Sequence, residues 1–141
     1  MSIPYDVPVF TILGDFNARI TSLHDGDTFT CVFFYSGRFH KFHARINGID
    51  TPEMTSKDPR AFEARHRLFQ LLTGTSTVLT QEWKKKDFDT YFSKNYTEVP
   101  ITCTGLDKYG RLLVNSGTIA DTLIREGLAH SYQGQTKEKW N

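Results

Sequence analysis

"HDGDTFTCVFFYSGRFHKFHARINGIDTPE", residues 24–53, holds two turns and the extended runs between them. The Asp-Gly turn in HDGDT (24–28) breaks one long run, and Tyr-Ser-Gly-Arg (35–38) breaks the next. Extended residues flank both turns, which is the pattern of a three-stranded antiparallel meander. In its third strand Phe42, Ala44 and Ile46 fall on one face by the two-residue period, and Lys41, His43 and Arg45 fall on the other. Arg45 therefore points away from the apolar face.

Outward from this stretch, the chain from Pro8 to about Thr118 is rich in Phe, Val, Ile, Thr and Tyr with turn signals between runs, which predicts short antiparallel strands. A helix is expected over 59–73, with Asp58 as N-cap, Pro59 in the first position, Gly74 as the stop, and Leu68, Phe69, Leu71 and Leu72 as the buried stripe. A last helix is expected from Thr118, capped by its hydroxyl, with Ile119, Leu123 and Ile124 on one face and its end near Gly127. Residues 77–83 (TVLTQEW) and 99–105 (VPITCTG) read as strands around a polar, aromatic excursion at 84–98. Its four lysines and four acids over 81–99 make a solvated loop the expectation.

A length of 141 residues and 38% hydrophobic content fit one domain with a single core. A formal charge of +1 announces no polyanion partner, so any nucleic-acid site has to be local. There is no apolar run of the ~20 residues a membrane span needs, and MSIPYDVPVF lacks the basic and apolar regions of an export signal. A soluble, cytoplasmic monomer with no protein partner is the expectation. Cys31 and Cys103 lie in strand-like segments without metal-ligand spacing and are expected as buried free thiols. The five histidines are expected at the surface, His40 and His43 on opposite strand faces.

Three polar clusters can carry chemistry. Asp25 and Asp27 in DGDT gather carboxylate oxygens whether they share a strand face or flank a tight turn, although on their own they are better explained as an ordinary hairpin. Asp50 and Glu53 follow a strand in a loop that Thr51-Pro52 keeps extended or turned; a first helical turn at Pro52 is the structural alternative. DKYGR (107–111) supplies Lys108, Tyr109 and Arg111 around a turn glycine, or is a polar hairpin. Together they hold hard oxygen ligands, a spare carboxylate and two arginines, the parts that metal-assisted phosphoryl transfer requires.

DGDT, an arginine separated by four residues from DTPE, DKYGR and LIREGLA (123–129), in that order, resemble the staphylococcal nuclease family of thermonuclease-like proteins. The resemblance runs from about Ala18 to Tyr132. It divides the chain into an N-terminal extension over 1–17, with room for a strand, a nuclease-like domain over 18–132 with the 84–98 excursion, and a tail over 133–141. It implies an α+β, mainly β fold: an OB-type five-stranded barrel with packed helices.

The resemblance further implies one calcium ion held by Asp27, Asp50 and the backbone carbonyl of Thr51, with Asp25 acting through water. Glu53 takes the place of the general base, and Arg45 and Arg111 that of the pair gripping the scissile phosphate. Lys108 and Tyr109 match residues that contact the neighbouring 3'-phosphate, and Tyr132 is expected in the base pocket, one position earlier than in the prototype. The implied activity is calcium-dependent hydrolysis of single-stranded DNA and RNA at the 5'-oxygen, leaving 3'-phosphates. A catalytically silent OB module that binds nucleic acid or protein is the alternative; retention of all five polar residues (Asp27, Arg45, Asp50, Glu53, Arg111) argues for the enzyme.

Overall fold

The computed structural model describes residues 1–133 and 140; the expected tail over 133–141 otherwise lies outside the described residues. Five strands close into a barrel: β1 (Leu13–Asp25), β2 (Thr28–Tyr35), β3 (Arg38–Ile46), β5 (Glu98–Leu106) and β6 (Leu112–Asn115), in the order β1-β2-β3-β6-β5. β4 (Ile49–Asp50) and β7 (His130–Ser131) pair separately. The helices are α1 (Pro59–Thr73), α2 (Lys85–Lys94) and α3 (Ile119–Arg125), with a 3-10 turn at Met54–Ser56. This is the expected α+β, mainly β architecture with an OB-like barrel. Among the described residues no helix is long and apolar enough to cross a membrane.

The meander forms as its alternation dictates. Ala44 and Ile46 face the interior with Phe29, Cys31 and Phe33 of β2, all of them buried. β3 then pairs with β6 in parallel and β5 returns to β1, so every barrel strand has two neighbours. Residues 13–17, assigned to the extension from sequence, form the start of β1 and pair with β5. Both cysteines are buried free thiols, and burial pushes their pKa values up, to about 12 for Cys31 and about 11 for Cys103.

Helix α1 has the predicted limits. The Asp58 carboxylate accepts from the Arg60 amide at 2.9 Å, and Gly74 closes the helix at φ 73°. Leu68, Phe69 and Leu72 are buried, with Leu71 partly so. Buried Arg65 was not anticipated; it donates to the backbone carbonyls of His24 at 3.1 Å and Trp83 at 2.7 Å, and so ties α1 to the end of β1 and the approach to α2.

Three expectations fail for physical reasons. Residues 77–83 form no strand: the closed barrel leaves no edge for them, and the side chains of His66 and Gln70 instead hold the Thr77 carbonyl. The 84–98 excursion is not a solvated loop, because Phe88, Tyr91 and Phe92 recur at helical spacing and α2 packs this stripe on β1 and Phe69. In α3 the Thr118 side chain makes no capping bond and Ile124 is 39% exposed; Ile119 and Leu123 alone of the expected stripe reach the core.

Gly26, in the β1–β2 turn, is required by space and not by a left-handed backbone. A Cβ there would lie 2.5 Å from the Ala64 Cβ and 3.0 Å from the Ala64 carbonyl carbon, so α1 packs directly on the turn. Replacement of glycine by alanine elsewhere gains ~0.4–1 kcal/mol from the unfolded state. Overpacking here outweighs that gain, and Gly26→Ala is expected to destabilise by about 1–3 kcal/mol in urea unfolding. An unchanged or raised midpoint would show that α1 can retreat without cost.

Candidate functional site

The Asp25-Gly26-Asp27 turn is clamped by the loop that follows β4. Asp25 Oδ1 accepts from the Met54 amide at 2.9 Å, and Asp27 Oδ2 accepts from the Thr51 amide at 3.2 Å. The backbone of Asp27 also binds β3, its carbonyl accepting from the Ile46 amide at 2.8 Å. The two acids therefore reach the 50–54 loop from one tight turn.

Arg45 lies on the outward face of β3, as the alternation requires, yet it is only 5% exposed. Its Nη2 donates to the Ile49 carbonyl at 2.8 Å and stands 3.4 Å from both Asp27 Oδ2 and Asp50 Oδ1. Those carboxylate oxygens thus lie no more than twice that distance apart. Tyr132 covers the guanidinium at 5.2 Å, placed there by a hydrogen bond from its amide to the Gly48 carbonyl at 2.8 Å.

The DKYGR segment is a tight turn organised by Asp107, a residue whose part sequence reasoning missed. Its carboxylate accepts from the amides of Tyr109 at 2.8 Å and Arg111 at 2.9 Å, and from Arg111 Nε at 2.7 Å. Burial pushes the Asp107 carboxyl up, but the bonds from Arg111 and Tyr109 outweigh it and hold the pKa below the ordinary value. Tyr109 is 73% exposed and stacks under both Lys108 and Arg111. Only the segment's spacing pointed to Asp107: a residue at i−4 from the arginine across a glycine turn.

Arg45, Arg111, Lys108, Tyr109 and Tyr132 line one cavity of about 520 Å³. Five of the ten predicted site residues are thus brought together. Asp27 and Asp50 lie behind Arg45, Thr51 is buried beside them, and Asp25 is bound to the 54 amide. Glu53 is exposed at the start of the 3-10 turn and does not line this cavity. None of the five histidines is buried, as expected, and His24 and His43 converge on Thr30, away from this cavity.

The donor set fits a hard cation. Two buried carboxylates with the Thr51 carbonyl would supply only oxygen, fewer than the six to eight ligands that calcium takes, so water would have to complete the shell. Among the described residues no group of three His, Cys, Asp or Glu side chains forms a metal cage. Burial raises the Asp27 carboxyl to about 6, against the opposing pull of Arg45 and the Thr51 amide, which marks a carboxylate short of positive charge. The Thr51 hydroxyl is buried without a hydrogen-bond partner.

In comparisons with known proteins, no family model and no curated protein matches this chain.

Folded Asp27 keeps its proton up to about pH 6, whereas the ordinary value is 3.8. Between those values the folded state binds more protons than the unfolded one, so this group makes stability fall as pH rises through the window. The loss amounts to about 3 kcal/mol. Urea unfolding in EDTA should show Asp27→Asn removing this downward component; parallel wild-type and variant profiles from pH 4 to 7 would show that Asp27 is not desolvated.

Proposed function

We propose that this protein is a calcium-dependent nuclease that hydrolyses phosphodiester bonds of single-stranded DNA and RNA at the 5'-oxygen and leaves 3'-phosphates. The observation that carries this reading is the convergence of Arg45 and Arg111 on one cavity, with Arg45 backed by two buried carboxylates. The order DGDT, Arg45, DTPE and DKYGR supports it independently.

Asp27, Asp50 and the Thr51 carbonyl would hold one calcium ion, with Asp25 ordering water. When bound, the ion supplies positive charge against the phosphate and makes water easier to deprotonate. Glu53, exposed at the rim of the loop, accepts the proton from the attacking water. The guanidinium forks of Arg45 and Arg111 hold the non-bridging oxygens and stabilise the charge that grows on them in the transition state. Asp107 fixes the Arg111 fork through its Nε. Lys108 and Tyr109 take the neighbouring 3'-phosphate, and the Tyr132 ring offers a face to the base.

A labelled single-stranded DNA at mildly alkaline pH should be cut with calcium and left intact in EDTA or by Glu53→Ala. Arg111→Lys should lose about 10²–10³-fold in turnover, because a point charge does not replace a planar fork. DNA and RNA oligomers should be cut at comparable rates. Calcium should also raise the melting temperature of the wild type and not of Asp50→Asn, a readout independent of turnover. Tight DNA binding without cleavage under any divalent metal would replace this reading with that of a silent binding module.

A further inference from the structure

A second concavity of about 570 Å³ opens between α2 and the outward faces of β1, β2 and β3, lined among others by Arg19, His24, Thr30, Lys41, His43 and Lys85. Three lining residues carry permanent positive charge, and one lining acid, Asp89, pairs with Lys85 at 3.2 Å. The Thr30 hydroxyl lies 3.1 Å from His24 Nε2 and 3.3 Å from His43 Nδ1. A hydroxyl has one proton to give and two lone pairs, so at least one ring donates to it, and the two contacts hold both imidazoles against the floor of the concavity. An excess of cations over a polar floor suits an anion.

The register of β2 and β3 joins this concavity to the first one. The outward residues of β3 are Phe39, Lys41, His43 and Arg45, directly opposite Phe34, Val32, Thr30 and Thr28 of β2. Arg45 lines the first cavity, while Lys41 and His43 line the second. At the far end the rings of Phe34 and Phe39 meet edge-on at 5.4 Å although they are 56% and 72% exposed. From Arg45 to Phe39 the strand runs about 20 Å, the length of about six stacked nucleotides. Cations in line with an exposed aromatic pair combine the two contacts that hold a single strand, phosphate neutralisation and base stacking.

We propose that this face is a single-strand track: a nucleic acid whose phosphate lies between Arg45 and Arg111 continues along β3, its backbone passing Lys41 and Lys85 and its bases stacking on Phe34 and Phe39. This rests on the nucleic-acid reading of the first cavity and extends it to a substrate class, unpaired strands longer than that cavity. Paired bases have no face to offer the two rings. Helix α2 is part of the device, since it brings Lys85 over the strand.

The test is fluorescence anisotropy in EDTA, with labelled oligothymidylates of two and of about twelve residues and a duplex of equal length. Lys41→Glu and Phe39→Ala, both at exposed positions, should each weaken the long oligomer about tenfold and leave the dinucleotide unchanged. The duplex should bind more weakly than the single strand. Equal loss for both lengths would reduce Lys41 to a general charge effect and overturn the track, as would unchanged binding of the long oligomer or duplex binding as tight as single-strand binding. Because binding is read without cleavage, length-dependent affinity in a protein that never cuts would sink the nuclease and leave the track standing.

Discussion

The approach of α1 to the β1–β2 turn is the contact on which the site depends. Ala64 occupies the space that any side chain at position 26 would need, so the helix rests on the turn's backbone. With the turn pinned from behind, Asp25 and Asp27 are directed at the 50–54 loop, where the Met54 and Thr51 amides meet them. The Ile46 amide fixes Asp27 to β3, and Arg45, one residue earlier on that strand, is thereby set against the Asp27 carboxylate. A single glycine thus governs helix packing and the position of the acids together.

The charges so gathered are a poor investment in stability. Arg45, Asp27 and Asp50 are each 5% exposed or less, and desolvating three charged groups costs several kcal/mol apiece before their attraction is counted. The return is incomplete, since 3.4 Å is long beside the 2.7–2.9 Å of a charge-assisted bond. Arg111 contrasts with this: its Nε meets Asp107 at 2.7 Å and its side chain is one-third exposed. One arginine is anchored at the rim, and the other stands between two buried acids at 3.4 Å from each. That difference is what the proposed site for a cation and a phosphate would require, and an apolar core would be the more stable use of the same volume.

Local signals were legible in the sequence where one residue decides the outcome. Asp58, Pro59 and Gly74 fixed both ends of α1, and the alternation of Phe42, Ala44 and Ile46 fixed which face of β3 is interior. What failed was decided by distant partners. Residues 77–83 have strand composition, but closure of β1 on β5 removed the edge they would have joined. The lysines of 84–86 hid a helix because Phe88, Tyr91 and Phe92 acquire meaning only once Phe69 is known to face them. The meeting of His24 with His43, and the Arg65 bonds to His24 and Trp83, depend on barrel register and helix placement, which periodicity does not encode.

The convergence of Arg45 and Arg111 follows from one feature of that register. β3 and β6 run parallel, with Ala44 opposite Leu112 and Arg45 opposite Leu113. Leu112 and Val114 are buried like Ala44 and Ile46, so Leu113 shares the outward face with Arg45. Counting back by two places Arg111 on that face, level with His43. The turn that precedes β6 therefore opens beside the outward row of β3. An antiparallel β6 in the same slot would carry DKYGR to the opposite end of the barrel, and the two guanidiniums would share no cavity. Among the described residues, the one parallel pairing in an otherwise antiparallel barrel is thus what brings two distant motifs to a single cavity.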